Sequence, residues 1–369
     1  MCQRRCGRIP ALSLALAALL LASGDGPPGR KALIEFGWDE PDTGFLRSHL
    51  AEMERTPFEG CVFHVDARPA GKPASLTWEG WGRRGFAEDD VKSARDDLRA
   101  LRTSRFTRNF LRFNVTPGDV DWFDDFAPIL SNARLAASLA RDGRAAGVLL
   151  DTEHYQGHPF AYKSQRDAAT KPWADYAAQA RRRGRDLMTA IQDGYPDLVV
   201  LLTFGPSLPR RQMLRSGKPL AEVEYGLLVP FLDGMIESAR GKARIVDGFE
   251  LSYGYKMPRE FDQGRTLMTE GVAPIVADPA AYRRVVSPGF GIWLDYDWRK
   301  IGWDVTNPSK NYFTPAGFEA SVRAALERSD EFVWIYTDTP RWWSADGGPV
   351  KLLAAYDEAL RRSRRGLAE

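Results

Sequence analysis

Eight times along this chain a short apolar run gives way to an amphipathic stretch, and that alternation constrains the fold more than any other feature. The runs expected as strands are Ala32 to Trp38, Gly60 to Asp66, Asn109 to Val115, Ala146 to Glu153, Leu198 to Phe204, Ile245 to Tyr253, Gly289 to Asp297 and Glu331 to Thr337. Each precedes a stretch with helical spacing: Gly44 to Arg55, Glu88 to Leu101, Phe126 to Arg141, Trp173 to Gln192, Ala221 to Ala239, a less regular one near Arg259 to Thr269, Pro315 to Arg328, and Val350 to Arg364. Strands that alternate with helices form parallel sheets, because a helix supplies the crossover that parallel neighbours need. Eight such units, with no low-complexity linker between them, predict an α/β fold: a single (β/α)8 TIM-type barrel over residues 25–369. A doubly wound open sheet is the rival, but no dinucleotide or P-loop glycine pattern follows the first strand.

The first two dozen residues stand apart. Arg4, Arg5 and Arg8 precede an uncharged run from Ala11 to Ala22, and small residues follow at Ala22, Ser23 and Gly24. The run is too short to span a bilayer and reads as a cleavable secretory signal over residues 1–24. The expectation is an exported protein, periplasmic or extracellular, with no stable membrane insertion once the signal is cut; a retained N-terminal anchor is the alternative. The whole chain carries 51 basic and 49 acidic residues, and loss of those three arginines leaves 48 against 49. No basic excess is available to track phosphates, so no nucleic-acid partner is expected. Cys2 and Cys6 leave with the signal and Cys61 remains alone. Without an internal disulfide, an exported chain depends on its core, which the 44% hydrophobic content can supply.

A barrel changes how the polar residues read, because its active site lies at the carboxyl ends of the strands. Those ends carry Trp38, Asp39 and Glu40; His64 and Asp66; Arg112 and Asn114; Asp151 and Glu153. The second half adds Thr203, Glu250, Ser252, Tyr253, Asp295, Asp297, Tyr336 and Asp338. About half of these are expected to be helix caps or rim ion pairs. Of 11 tryptophans, Trp38, Trp78, Trp81, Trp122, Trp298, Trp303, Trp342 and Trp343 fall at or just after a strand end, whereas Trp173, Trp293 and Trp334 read as packing. Flat aromatic faces suit the C–H faces of sugar rings, and carboxylates, Asn and Arg suit their hydroxyls. A carbohydrate partner is therefore expected, held by Trp38, Asp66, Arg112, Asn114, Glu250, Tyr253, Asp297, Trp298, Tyr336, Trp342 and Trp343.

The stretch GVLLDTEHYQ, Gly147 to Gln156, carries the chemistry. On an extended chain its i, i+2 carboxylates, Asp151 and Glu153, share a face. Glycoside cleavage needs one carboxyl group to protonate the leaving oxygen, and a neighbouring carboxylate holds a proton in place by raising the pKa. Glu153 is the expected acid and Asp151 its electrostatic partner. Asp295 or Asp338 is expected opposite them, with Asp297 and Glu250 as further possibilities. The bland alternative pairs Asp151 with Arg112 and leaves Glu153 a rim charge.

The fourth-strand pattern resembles that of the (β/α)8 glycoside hydrolases, in particular the family 18 chitinases with Asp-Gly-x-Asp-x-Asp-x-Glu. Gly147, Asp151 and Glu153 match; Ala146 and Leu149 replace two further aspartates. The resemblance implies that Glu153 is the acid and that Asp151 positions a substrate acetamido group, with Tyr253 and Trp342 in supporting places. The retaining clan A glycosidases are the rival, and would require a seventh-strand carboxylate, Asp295 or Asp297. No cofactor and no metal site are expected: His64-x-Asp66 is the one strand pair with ligand spacing, though a structural calcium on loop carboxylates stays open. No G-x-S-x-G elbow is present for serine chemistry. A sugar-binding barrel without turnover is the second functional reading. The two differ in whether two carboxylates face each other at ~5–10 Å across the mouth.

Overall fold

In the computed structural model, which describes residues 31–297 and 302–365, the eight apolar runs close into one barrel. Its strands are β1 (Ala32–Gly37), β2 (Gly60–Phe63), β3 (Phe110–Asn114), β4 (Gly147–Asp151), β5 (Val199–Leu202), β6 (Arg244–Asp247), β7 and β8 (Phe332–Thr337). Every neighbouring pair is parallel, and β1 also pairs with β8, Ala32 opposite Phe332. Strand β7 comes in two pieces: Val286–Pro288 pairs with β6 and Phe290–Trp293 pairs with β8. Pro288 has no N–H to give the ladder, so the break falls where a donor is missing.

The period of two sorts each strand's side chains. Ile34, Phe36, Val62, Phe110, Leu149, Leu201, Val246 and Trp334 fill the barrel interior. Leu33, Cys61, Leu111, Val148, Val200 and Ile335 face the helices in a larger cluster. The surrounding helices are α1 (Thr43–Met53), α2 (Lys92–Ala100), α3 (Ala127–Asp142), α4 (Trp173–Gly194), α5 (Ser207–Ser216), α6 (Leu228–Ser238), α7 (Pro258–Thr266), α8 (Pro279–Val285), α9 (Pro315–Arg328) and α10 (Ala354–Ser363). The helix expected from Ala221 begins only at Leu228, and α5 occupies part of the space before it. Gly217 in the left-handed conformation ends α5, and Pro219 begins the loop that follows.

Helices α4 and α6 meet backbone to backbone. A Cβ on Gly184 would lie 1.9 Å from the Phe231 carbonyl oxygen, and one on Gly234 would lie 1.9 Å from that of Arg181. Only glycine fits at either position. No helix among the described residues is long and apolar enough to cross a membrane. The stretch read as a signal, and Trp298, lie outside the described residues.

Candidate active site

Strand β4 ends at Asp151, two residues earlier than expected. Asp151 Oδ1 accepts the backbone N–H of Glu153 over 3.2 Å, turning the chain out of the strand. The two carboxylates therefore do not share one extended face. Asp151 is fully buried, and Glu153 opens into the cavity above it.

Other donors hold Asp151 in place: Arg112 gives Nη2 at 2.6 Å and Nε at 3.2 Å and Thr203 its hydroxyl at 3.1 Å, while the Tyr155 oxygen lies 2.9 Å away with Glu153 as its closer acceptor. Arg112 also reaches Glu40 through Nη1 at 2.8 Å, and its guanidinium lies 4.8 Å over Trp78 and 4.9 Å over Phe36. The bland alternative for Asp151, a pair with Arg112, is thus the observed geometry. An acetamido-positioning role for Asp151 does not fit, because its carboxylate is out of reach beneath the cavity floor.

The second cavity carboxyl is Glu250. After β6, Phe249 takes a left-handed conformation at φ 46°, a strain of about 1–3 kcal/mol for a bulky residue, and a single helical turn starts at Glu250. The surroundings over-determine that turn. Asp247 accepts the N–H of Phe249 (3.1 Å) and of Gly205 (3.2 Å) and the Ser207 hydroxyl (2.6 Å), while Glu250 N–H donates to the Thr203 carbonyl at 3.2 Å. Burial pushes Asp247 itself up to about 6. The strained turn directs Glu250 at Glu153, and the two carboxyl groups are in hydrogen-bond contact.

Two carboxylates this close repel, which favours a proton on one of them. Burial, then the Asp151 charge, push Glu153 up to about 7, against the Tyr155 hydroxyl, Glu250 and Arg112, which favour its anion. Glu250 rises well above the usual carboxylate range, through burial first and then the charges of Glu153 and Asp151. The Tyr155 hydroxyl stands on the Glu153 side, which favours the anion there.

The cavity has a volume of about 790 Å³. Of the residues expected to bind sugar, Trp38, Asp66, Arg112, Glu250, Tyr253 and Tyr336 line it. Glu40, His64, Trp78, Tyr155 and Trp293 line it too. Glu40 and Tyr155 adjoin candidates in sequence. Trp293 ends its strand piece with its side chain at the mouth, although its place in the run read as interior packing.

Other candidates lie elsewhere. Asp295 accepts from the Trp293 indole (2.9 Å) and the N–H groups of Asp338 (3.0 Å) and Thr339 (2.8 Å), so it fastens the β8 loop and does not face Glu153. Asp338 takes the Tyr336 hydroxyl at 2.9 Å, and Asp297 the Gly302 N–H at 2.9 Å; neither lines the cavity. Asn114 is fully buried, with no hydrogen-bond partner for its side chain among the described residues.

Most strand-end tryptophans turn out to be packing. Trp343 is buried against Phe58 and Phe106 and donates to the Asp39 carbonyl at 2.8 Å. Trp342 packs edge-on to Phe58 and donates to Asp357 at 3.1 Å. Trp81 and Trp122 are fully buried. Long loops fold back over the barrel rim, so a position after a strand does not mean exposure at the mouth.

One group among the described residues has metal-ligating composition: His154, His158 and Glu224. The Phe160 N–H donates to His154 Nε2 at 3.3 Å, which leaves the proton of the neutral ring on Nδ1. That is the nitrogen facing Glu224 at 3.6 Å, so the atom that would bind a metal is protonated. Burial holds His154 neutral, pushed down to about 3, and its ring stacks on Tyr225 at 4.0 Å. His158 and Glu224 are exposed, so the group is an open rim cluster anchored by His154 alone.

No protein-family model and no curated protein matches the chain. Among solved structures, the chain is similar to a glycoside hydrolase family 5 enzyme from Prevotella bryantii B14 in complex with a xyloglucan tetradecasaccharide (8% identity, 88% of each chain, TM-score 0.47). It is also similar to a GH5-4 broad-specificity endoglucanase from Bacteroides salanitronis (12% identity, 71% of this chain and 83% of that one, TM-score 0.41). A third structure, titled endoglucanase, is 8% identical over 90% of this chain and 96% of that one, with a TM-score of 0.40.

Proposed function

We propose that the chain is an exported glycoside hydrolase that works by carboxylate acid and nucleophile chemistry at the barrel mouth. One observation carries the reading: Glu153 and Glu250, from the ends of two strands, meet in an aromatic-walled cavity. Glu250, pushed well above the usual carboxylate range, is the acid, and Glu153, beside the Tyr155 hydroxyl, is the nucleophile. This reverses the role expected for Glu153 from sequence. Glu250 protonates the leaving oxygen while Glu153 attacks the anomeric carbon; water then releases the sugar with Glu250 as base. The free carboxyl groups touch, closer than the ~5–5.5 Å of a retaining pair, so an incoming sugar must part them. Their closeness favours retention, since inversion needs room for a water.

Glu250→Gln is expected to stop cleavage of natural oligosaccharides and to spare activated aryl glycosides, whose leaving group needs little protonation. Azide added to Glu153→Ala is expected to restore turnover as a glycosyl azide. Full polysaccharide turnover by Glu250→Gln would refute the assignment. A sugar-binding barrel without turnover is the second reading, favoured by the carboxyl contact itself; binding with no cleavage by the parent protein would establish it. Export rests on the charge-then-apolar pattern of residues 1–24, and a secreted mass that starts at Met1 would exclude it.

A further inference from the structure

We infer that Asp247 is a positioning residue for the acid: it aims Glu250 at Glu153 by pinning the left-handed turn at Phe249 to the chain just after β5. The inference rests on the assignment of Glu250 as the acid and adds a residue that touches no substrate. Asp247 ends β6, is fully buried and does not line the cavity. Every peptide between it and Glu250 is held. Gly248 gives its N–H to the Leu202 carbonyl at 2.9 Å, and its own carbonyl takes the Trp334 indole N–H at 2.8 Å. Glu250 N–H reaches the Thr203 carbonyl at 3.2 Å. The Phe249 N–H differs, because its acceptor at 3.1 Å is the side chain of Asp247 two residues back, an Asx turn.

The same oxygen, Oδ1, takes the Gly205 N–H at 3.2 Å, and Oδ2 takes the Ser207 hydroxyl at 2.6 Å, so the carboxylate cannot rotate away. A Cβ at Gly205 would lie 2.3 Å from Oδ2; the loop comes this near only with glycine there. A phenylalanine at φ 46° relaxes to negative φ unless something holds it. Without Asp247 the Phe249 N–H is left buried and unpaired, and the strained form loses its compensation. A relaxed Phe249 turns the next peptide, and Glu250 with it, away from Thr203 and Glu153. Glu153 is mounted separately, on Asp151 and Tyr155, so only one member of the pair moves. Asparagine preserves the mount: its Oδ1 accepts both N–H groups, and its amide donates to the Ser207 oxygen.

The test reads the contact between the two glutamates directly, by carboxyl-carbon NMR titration of the glutamate-labelled protein. In the parent, Glu153→Gln should shift the titration of Glu250 by at least about one pH unit, since carboxyl groups in contact titrate as a coupled pair. In Asp247→Ala that effect should fall to about a third or less, and Asp247→Asn should restore it. Ser207→Ala, which frees Oδ2 and leaves Asp247 in place, should act in the same direction as Asp247→Ala at lower cost to folding. On an oligosaccharide that the parent cleaves, Asp247→Ala should lower kcat about 10²-fold with KM within about three-fold, because a misplacement of about 1 Å is enough. Asp247→Asn should keep kcat within a few-fold. A role confined to stability would lower the melting temperature and leave both the coupling and kcat of the folded variants unchanged. Parental coupling in folded Asp247→Ala and Ser207→Ala, or a loss as large in Asp247→Asn, overturns the inference. The expected coupling pattern without turnover of any oligosaccharide by the parent overturns the glycosidase reading and leaves the role of Asp247 in aiming Glu250 standing.

Discussion

Glu153 and Glu250 meet inside the cavity, whereas a second carboxyl pair, Glu35 and Asp39, meets on the helix-facing side of β1, where Glu35 points outward with Leu33. Both members of this second pair are fully buried, and none of their carboxyl oxygens has a hydrogen-bond donor among the described residues. They are in contact with each other, and both are raised, Glu35 well above its usual range by burial and by Asp39. Trp343, bonded to the Asp39 carbonyl, covers the pair. By charge the two pairs are alike. The cavity pair differs in having Tyr155 and Arg112 as polar neighbours and open space in front of it. A raised carboxyl therefore marks a site only where a ligand can reach it.

Turnover should separate the pairs most sharply. Glu153→Gln is expected to cost about 10²–10⁴-fold in kcat, whereas Glu35→Gln should leave kcat within a few-fold, because Glu35 does not line the cavity. Equal losses on an oligosaccharide assay would break the comparison. Next in size is the cover on each. Trp343→Ala should lower unfolding stability by about 3–5 kcal/mol in denaturant titrations, as a large buried side chain does. Trp38, 66% exposed, should cost little stability when changed to Ala. Its loss should weaken oligosaccharide binding by about 1 kcal/mol, read by calorimetry.

The pH dependences are smaller and of two kinds. Below about pH 7 the cavity pair gains a second proton and loses its nucleophile, so kcat/KM should fall toward acid. A profile flat through that region would remove Glu153 from the chemistry. Glu35 affects stability instead. Its folded pKa lies above the unfolded value, so its contribution is complete below the ordinary glutamate range and is lost as pH rises through the folded pKa. Glu153 adds to the same decline between about 4.5 and about 7. Thermal melts should show stability falling as pH rises over this span, and Glu35→Gln should flatten part of the slope.

Much of the barrel was legible because burial on two faces writes near-continuous apolar runs. Helix α9 matched its expected ends at both residues, since Thr314 caps it, Pro315 opens it and Ser329 leaves the helix. The site was legible one strand end at a time. Glu153 and Glu250 were both visible as strand-end carboxyls, but their meeting depends on the left-handed turn at Phe249, which no residue pattern announces. The fate of Asp151 depended on its neighbour Arg112 across the β3–β4 register, where Asn114 pairs with Asp151. Trp342 and Trp343 misled because proximity to a strand end in sequence says nothing about which way a long loop folds.

The contact between α4 and α6 also bears on how the chain can change over time. A methyl at either glycine collides with a backbone carbonyl of the opposite helix, which cannot step aside as a side chain could. Because each glycine meets the other helix, replacing one still leaves its partner's close approach broken, and no second substitution there restores it. Sequence drift at these two positions is thus closed in both directions. The pair should persist in descendants whose mouth residues, and with them the preferred sugar, have diverged.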